Sequence, residues 1–400
     1  MALPLTLILF AIASAFLVAY GTQADVARWD YGLEMIMWSR RLQWPLVGLS
    51  LISCISLIAL VISGKKRAWW LIGLGPVLAL FAHRFSTGPS VEFVAQENPV
   101  FIAPDAARAF LGDEDWVVGL VFEGEPYAYP YVALYHTPVV IQSDHDRRII
   151  LFWSALANRV LAFDAHRELK ARDLDIVSTP ANALLVYNRR LGEFINGLTG
   201  KTPAGDQPQG ARERIETVRA PWKTWRALHP NTHVMLPSVP AGKAPRQPVA
   251  PQSPLPATTQ PATAPMEMPI IFVGADAALA IPQQALSGQS ADALINASAG
   301  NVPVLVFRDE QTQMVKAFDR RVEADLWPRF RRNTDAQRKS AVFIDADTDT
   351  GWSAAGVAVD GDRKGQRLLP IPVEEHLYWG VMKHWYPQLT LHRPTTQPGF

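Results

Sequence analysis

Ala2–Tyr20 reads ALPLTLILFAIASAFLVAY, a run without a single charged side chain. Coiled as a helix it would extend roughly 28 Å, the thickness of a bilayer's hydrocarbon core. No Lys or Arg precedes the run, and it is longer than the apolar centre of a secretory leader, so it reads as an uncleaved anchor. Outward from it, WPLVGLSLISCISLIALVIS (Trp44–Ser63) is a second uncharged run. WWLIGLGPVLALFA (Trp69–Ala82) is a third, shorter and interrupted by Pro76. The expectation is a membrane anchor over residues 1–84 with spans at 2–20, 44–63 and 69–82. Between the last two, Gly64 leaves room only for a tight turn with Lys65, Lys66 and Arg67. Three adjacent positive charges assign that turn to the cytoplasm. Threading from it puts the N-terminus inside and everything after His83 outside, which for a bacterial inner membrane is the periplasm.

Residues 25–42 join the first two spans. Val26, Trp29, Leu33, Ile36 and Met37 recur there at helical spacing, with Arg28, Asp30, Arg40 and Arg41 between them. This is an amphipathic helix that either lies on the outer membrane surface or packs against the domain that follows. Trp29, Trp38, Trp44, Trp69 and Trp70 fall on or near the segment ends, where indole rings favour the membrane interface. The apolar runs hold no ionisable residue, unlike the spans of transporters and proton relays, and Gly73 and Gly75 suit close helix packing.

The remainder of the 400 residues is long enough for two domains, and 48% apolar content permits a proper core. A formal net charge of +1, with cations and anions interspersed, provides no field for nucleic acid, so none is expected as a partner. The single cysteine, Cys54, excludes an intrachain disulfide and a thiolate zinc cluster. Thirteen Trp and thirty-two Pro favour loop-rich packing around aromatic anchors.

Residues 240–268 (PAGKAPRQPVAPQSPLPATTQPATAPMEM) have almost no large apolar side chains and read as an extended linker between a lobe at 85–239 and one at 269–400. Landmarks recur in the same order on each side. Ala128-Tyr129-Pro130 answers to Ala280-Ile281-Pro282, Ala162-Phe163-Asp164 to Ala317-Phe318-Asp319, Gly200 to Gly356, and Trp222 with Pro230 to Trp379 with Pro387. A nearly constant offset between them indicates an internal duplication. The runs VVGLVF, VVI, RIILFW, ALLVYN, PIIFVG, VPVLVF and AVFID predict strands. Helices are expected at 220–228, 290–297, 319–332 and 373–385, the last with Glu374 and Glu375 favoured by the helix dipole. The fold class is therefore three N-terminal transmembrane helices followed by a β-rich α+β soluble region of two similar lobes.

The string G-E-P-Y-A-Y-P (Gly124–Pro130), His136, V-L-A-F-D ending at Asp164, L-T-G (Leu198–Gly200) and W-K-T-W-R-A-L-H-P (Trp222–Pro230) resemble a bacterial family, domain of unknown function 3179. The resemblance covers about residues 116–237, and WSAAGVAV (Trp352–Val359), RLLPIPVEE (Arg367–Glu375) and YWGVMKHWYP (Tyr378–Pro387) resemble the latter half of the same family. The resemblance implies a C-P-L-C-G-T stretch before the A-F-D and a nearby histidine, together forming a soft-metal or redox site. Here that stretch is Ser154-Ala155-Leu156-Ala157-Asn158-Arg159, and the second copy has Asp309-Glu310-Gln311-Thr312. Without thiolates such a site cannot hold a soft metal or exchange disulfides, so the chain reads as a degenerate, membrane-anchored member that keeps the scaffold.

Other chemistry is thinly represented. Asp144-His145-Asp146 precedes two arginines and reads as a solvated turn, since consecutive strand side chains point to opposite faces. Asp345, Asp347 and Asp349 echo a calcium loop, but its glycine falls one position late and Gly356 stands where the bidentate Glu belongs. No nucleophile elbow, P-loop or dinucleotide fingerprint is present. His136, Asp164 and Asp319 are the remaining candidate metal ligands, no catalytic residue or cofactor is expected, and His384-Trp385-Tyr386 reads as packing. Three functions compete. The favoured one is a non-catalytic accessory or scaffold subunit of a larger membrane complex, respiratory or photosynthetic, whose partners are the lipid bilayer and neighbouring subunits. The others are a periplasmic metal-binding or redox-related enzyme with a site between lobes, and a ligand-binding module.

Overall fold

A computed structural model describes residues 2–87, 92–144, 147–165, 169–206, 211–240, 242, 244–255, 264–274, 279–287, 294–323 and 326–393. Four helices open the chain: α1 (Ala2–Tyr20), α2 (Gly32–Arg41), α3 (Gln43–Ile62) and α4 (Leu74–Thr87). A 3-10 helix at Ala68–Gly73 leads into α4. Three segments, Ala2–Tyr20, Gln43–Ile62 and Ala68–Thr87, are long and apolar enough to cross a membrane. The third differs from a plain helix over 69–82. Pro76 sits in the first turn of α4, where no backbone N–H is needed, and the helix continues to Thr87. The spans meet through small residues. Ala11, Ala15 and Val77 are buried together, Ser50 Oγ donates to the Ala11 carbonyl at 3.1 Å, and Gly73 lies directly against Ile8, with no room for a Cβ. Gly75 has open space around it. Leu3, Phe10, Leu51, Ile55 and Leu78 turn outward, the inversion of an aqueous surface that a lipid solvent requires.

After the spans the chain divides into two compact units: Met1–Thr217 with Asn231–Gln260, and Val218–Pro230 with Pro261–Phe400. The last division, at Gln260/Pro261, falls within the 240–268 stretch. Val218–Pro230 belongs with the second unit, where Arg219 and Glu374 form a buried ion pair at 3.8 Å.

In the first unit the strands are β1 (Ala95–Glu97), β2 (Phe101–Ile102), β3 (Trp116–Phe122), β4 (Glu125–Pro130), β5 (Val139–Asp144), β6 (Arg147–Ser154), β7 (Arg159–Ala165), β8 (Leu174–Ser178), β9 (Leu185–Asn188), β10 (Glu193–Asn196) and β11 (Ala211–Ile215). β12 (Val218–Pro221) lies in the second unit, and β13 (His233–Met235) returns to the first. Three sheets result, with orders β1-β5-β6-β7-β11, β10-β9-β8 and β3-β4-β13-β2. Most neighbours are antiparallel, but β13 runs parallel to β4, with His233 opposite Tyr127 and Val234 opposite Ala128. The β5–β7 sheet is the middle layer. Leu151, Trp153 and Val160 face Val118, Leu120 and Tyr129 on one side. Ile150, Phe152 and Leu161 face Ile176, Leu184 and Val186 on the other. Burial on both faces explains why RIILFW is continuously apolar rather than alternating.

The second unit has β14 (Pro269–Val273), β15 (Leu279–Pro282), β16 (Leu294–Ala299), β17 (Val302–Arg308), β18 (Val315–Asp319), β19 (Phe330–Arg332), β20 (Phe343–Asp345), β21 (Gly351–Trp352), β22 (Pro370–Ile371), β23 (Val373–Tyr378) and β24 (Thr390–Leu391). Its sheets are β23-β14-β15-β24, β16-β17-β18-β22 and β19-β20-β21. β24 is parallel to β15, with Leu279 opposite Thr390 and Ala280 opposite Leu391. Here too the middle sheet is buried on both faces, Val304 and Val306 against Ile271 and Ile281, Leu305 and Phe307 against Phe343 and Trp352.

All seven predicted strand runs are strands. The helices are fewer than predicted. Trp222–Leu228 is helical, but Leu294–Ala299 is β16 paired along its whole length with β17, and residues 288–293 lie outside the described set. The segment 319–332 is no helix. Asp319 ends β18 by accepting the Arg321 N–H at 2.9 Å, and Phe330–Arg332 pairs with β20. Within 373–385 only Trp379–Trp385 is helical. Glu374 and Glu375 stand in β23, so the helix dipole does not account for them.

Candidate functional site

The resemblance points to the turn between β6 and β7, where paired cysteines would stand. Strand pairing brings Ile149 opposite Asp164 and Ile150 opposite Phe163, and Ala155–Ala157 closes the hairpin as a short 3-10 turn. Asn158 follows in the left-handed region, φ 50°, a conformation that asparagine tolerates better than most residues. Ser154, Asn158 and Arg159 each engage a neighbour within the fold. Ser154 Oγ accepts the Leu184 N–H at 3.1 Å, Tyr131 Oη donates to Asn158 Oδ1 at 2.6 Å, and the fully buried Arg159 donates to the Leu198 carbonyl at 2.8 Å. Beside the turn lies a cavity of about 160 Å³, lined mainly by apolar groups including Phe93, Tyr135, Trp153, Leu156 and Leu184. Asn182 closes one side. It and Ala181 both have positive φ, and Asn182 exchanges hydrogen bonds with the Gln252–Ser253 backbone of the Pro-rich stretch at 2.7–2.8 Å. That stretch, expected as an extended linker, is docked on this unit where it is described, also through the Arg246 carbonyl, which accepts the Trp116 N–H at 2.8 Å.

The turn between β17 and β18 in the second unit is likewise closed on itself. Asp309 accepts from Gln311 N and Thr312 Oγ1, both at 3.0 Å, and pairs with Lys316 at 2.7 Å. Burial raises its pKa, but Lys316 and these hydrogen bonds outweigh that and hold the carboxyl below its usual range.

The three candidate ligands are placed separately from any common centre within their units. His136 packs edge-on against Tyr135, 5.2 Å between centroids. Asp164 pairs with Arg147 at 3.3 Å. Asp319 is gripped by Arg321, whose Nε lies 2.9 Å from Oδ2; burial opposes ionisation there, yet the guanidinium keeps the pKa low. Among the described residues no three His, Cys, Asp or Glu side chains assemble into a ligand set. Asp345 caps its own turn, taking Asp347 N at 2.8 Å and Thr348 N at 2.9 Å, while Asp349 pairs with Arg331 and Arg338. Of Asp144-His145-Asp146, the last two lie outside the described residues.

A polar cluster in the second unit was not anticipated. Glu375 accepts from Arg308 Nη2 at 2.8 Å, Gln283 Nε2 at 3.0 Å and Val315 N at 2.8 Å, next to the Arg219–Glu374 pair. A bulge in β23 at this point carries His376 into the left-handed region, φ 58°, with its N–H on Gln283 Oε1 at 3.2 Å. Burial, opposed by Glu375 and aided by Arg219 and Arg308, lowers the His376 pKa to about 4. The signal was present in P-I-P-V-E-E-H: prolines flanking an isoleucine favour extended chain, which would have placed adjacent acids on opposite faces of a strand.

Of the interface tryptophans, Trp29, Trp38, Trp44 and Trp69 are more than half exposed, and Trp69 stacks on Trp70 at 4.1 Å. Lys65 and Arg67 are exposed at the opposite end of the spans from Arg40 and Arg84, while Lys66 is partly covered.

The family described as Protein of unknown function (DUF3179) matches residues 89–389, a span that takes in parts of both units and is wider than the 116–237 of the first resemblance. No curated protein and no solved structure matches the chain.

Proposed function

The chain belongs to the DUF3179 family, and we propose that it is a non-catalytic, membrane-anchored accessory subunit of a larger membrane protein complex. In this reading the spans hold the β-rich region on the periplasmic face of a bacterial inner membrane, where it docks on neighbouring subunits. The observation that carries it is the state of the β6–β7 turn: Ser154, Asn158 and Arg159 spend their polar groups on Leu184, Tyr131 and Leu198, which stabilises a scaffold and leaves no assembled reactive centre there. The charges at Lys65–Arg67 favour a cytoplasmic turn and hence a periplasmic β-rich region.

An internal duplication accompanies this proposal. In support, Val304 opposes Asp319 and Leu305 opposes Phe318, at the same offset from Ile149–Asp164 and Ile150–Phe163. The parallel pairs β4–β13 and β15–β24 correspond in the same way. Gly200 and Gly356 both have φ 72°, one against the Phe163 ring and the other against Phe318.

A second reading, a ligand-binding module, draws on the cavity beside Trp153, whose indole N–H is buried without a hydrogen-bond partner. Native gel migration after mild solubilisation distinguishes the two. An accessory subunit migrates in a defined particle larger than its own oligomers. Migration as a monomer or homo-oligomer alone would sink the accessory reading and favour the ligand module.

A further inference from the structure

In the first unit a cleft of about 210 Å³ is lined by Asn98, Phe101, Tyr127, Gln142, Ser143 and His233, among others. Asn98 follows β1, Phe101 opens β2, Tyr127 is in β4, Gln142 and Ser143 are in β5, and His233 opens β13. Rings form one wall: Phe101 meets Tyr127 edge-on at 5.1 Å between centroids, and the His233 ring lies 5.3 Å from that of Tyr127. Two carboxamides form the polar side, each with its oxygen engaged inside the fold. Gln142, 4% exposed, takes the Tyr129 hydroxyl on Oε1. Asn98 takes the Ser143 N–H on Oδ1 at 2.9 Å, and its own backbone N–H donates to the Ile141 carbonyl at 2.7 Å. Gln142 Nε2 and Asn98 Nδ2 have no acceptor among the described residues. Two amides held by their oxygens thus offer unspent N–H groups to one cleft, and a buried donor without an acceptor is costly. Water can take these donors, and a ligand oxygen in its place keeps the hydrogen bonds while adding contact with the rings.

We propose that this cleft binds one ring of a neutral saccharide, its C–H face against Phe101 and Tyr127 and its oxygens on the Asn98 and Gln142 amides. Charge favours a neutral ligand. Among the described residues lining the cleft there is no Asp, Glu, Lys or Arg, and Glu125 stands 3.6 Å from His233 Nε2, a negative charge that disfavours an anion. Size favours a single ring, since the volume is below the roughly 300–1,000 Å³ of sites for drug-sized ligands. Aromatic faces attract the weakly positive C–H groups that a sugar presents on one side, and amide N–H groups suit the oxygens at its edge. The proposal does not rest on the chain being an accessory subunit.

The test uses the full chain in nanodiscs free of glycoside detergents. Methyl glycosides of glucose, galactose, mannose and N-acetylglucosamine are titrated by saturation-transfer NMR, alongside glucuronate and N-acetylalanine amide. Wild type should bind at least one neutral glycoside saturably, and glucuronate and the amide more weakly. Asn98→Asp keeps the oxygen that Ser143 uses and removes the donor, while Phe101→Leu keeps bulk and removes the ring. Each should weaken glycoside binding by about tenfold. Asn98 is exposed, so its variant carries the test if Phe101→Leu does not fold. No glycoside binding by the wild type, or an affinity unchanged in the folded variants, would overturn the site. Preference for glucuronate or for N-acetylalanine amide would assign the cleft to an anion or a peptide and overturn the sugar.

Discussion

Two glycines combine a left-handed backbone with a close aromatic neighbour. Gly200 and Gly356 have φ 72°, and a Cβ at either would drive into Phe163 or Phe318. Gly200→Ala and Gly356→Ala should each destabilise the fold by about 1–3 kcal/mol, read as a lower melting temperature, and an unchanged melt would refute the packing assigned to them. Both glycines were legible in the sequence as recurring landmarks, although their partner rings were not. His376 was not legible as a half-buried group with a depressed pKa. Its folded pKa is about 4 against an ordinary value near 6.5, and that of His384, lowered by burial, is also about 4. Between those values the unfolded chain takes up protons that the folded chain refuses. Stability should therefore be constant above neutral pH and fall as pH drops from about 6.5 toward 4. His376→Gln should flatten that acid limb by its share in melts between pH 7 and 4.5, and a limb unchanged in the variant would contradict the assignment.

At the scale of elements, strands were read correctly because β-branched runs bounded by turn residues need only local pattern. Helices were over-read where tertiary pairing prevails. Leu294–Ala299 has a sequence that tolerates helix, but β17 offers it a full antiparallel ladder. α2 illustrates what periodicity can and cannot fix. The pattern over 25–42 was plain in Val26, Leu33 and Ile36 but left its partner open between membrane and domain, and it does not form one helix: Val26 lies in a 3-10 turn at Ala24–Arg28, Trp29 is extended, and α2 starts only at Gly32. Ile36 is fully buried with Val177, Leu185 and Phe194, and Arg41 lies 5.3 Å from the Phe194 ring, so the apolar face meets the domain. Trp29, Tyr31 and Trp38 remain outside. Ile36→Ala should cost about 2–5 kcal/mol at this contact. It should raise hydrogen exchange over residues 24–41 and leave the spans protected. Unaltered exchange would show that the membrane, not the domain, holds this helix.

For the molecule as a whole, the spans were legible from hydropathy alone and the family from separated motifs. The division into units was not, because Val218–Pro230 departs from its neighbours in sequence to join the second unit. The candidate centre was legible chiefly through substitution: Ser154 and Ala157 occupy positions where the resemblance implies thiolates, and hydrogen bonds now close that turn. The proposed accessory role predicts partner subunits. The most direct measurement is affinity purification of the tagged full chain from native membranes in mild detergent, with quantitative mass spectrometry of what accompanies it. Membrane subunits recovered in a fixed stoichiometry with the chain are the predicted result. Recovery of the chain alone, at a native expression level and under conditions that preserve known complexes, would contradict the account.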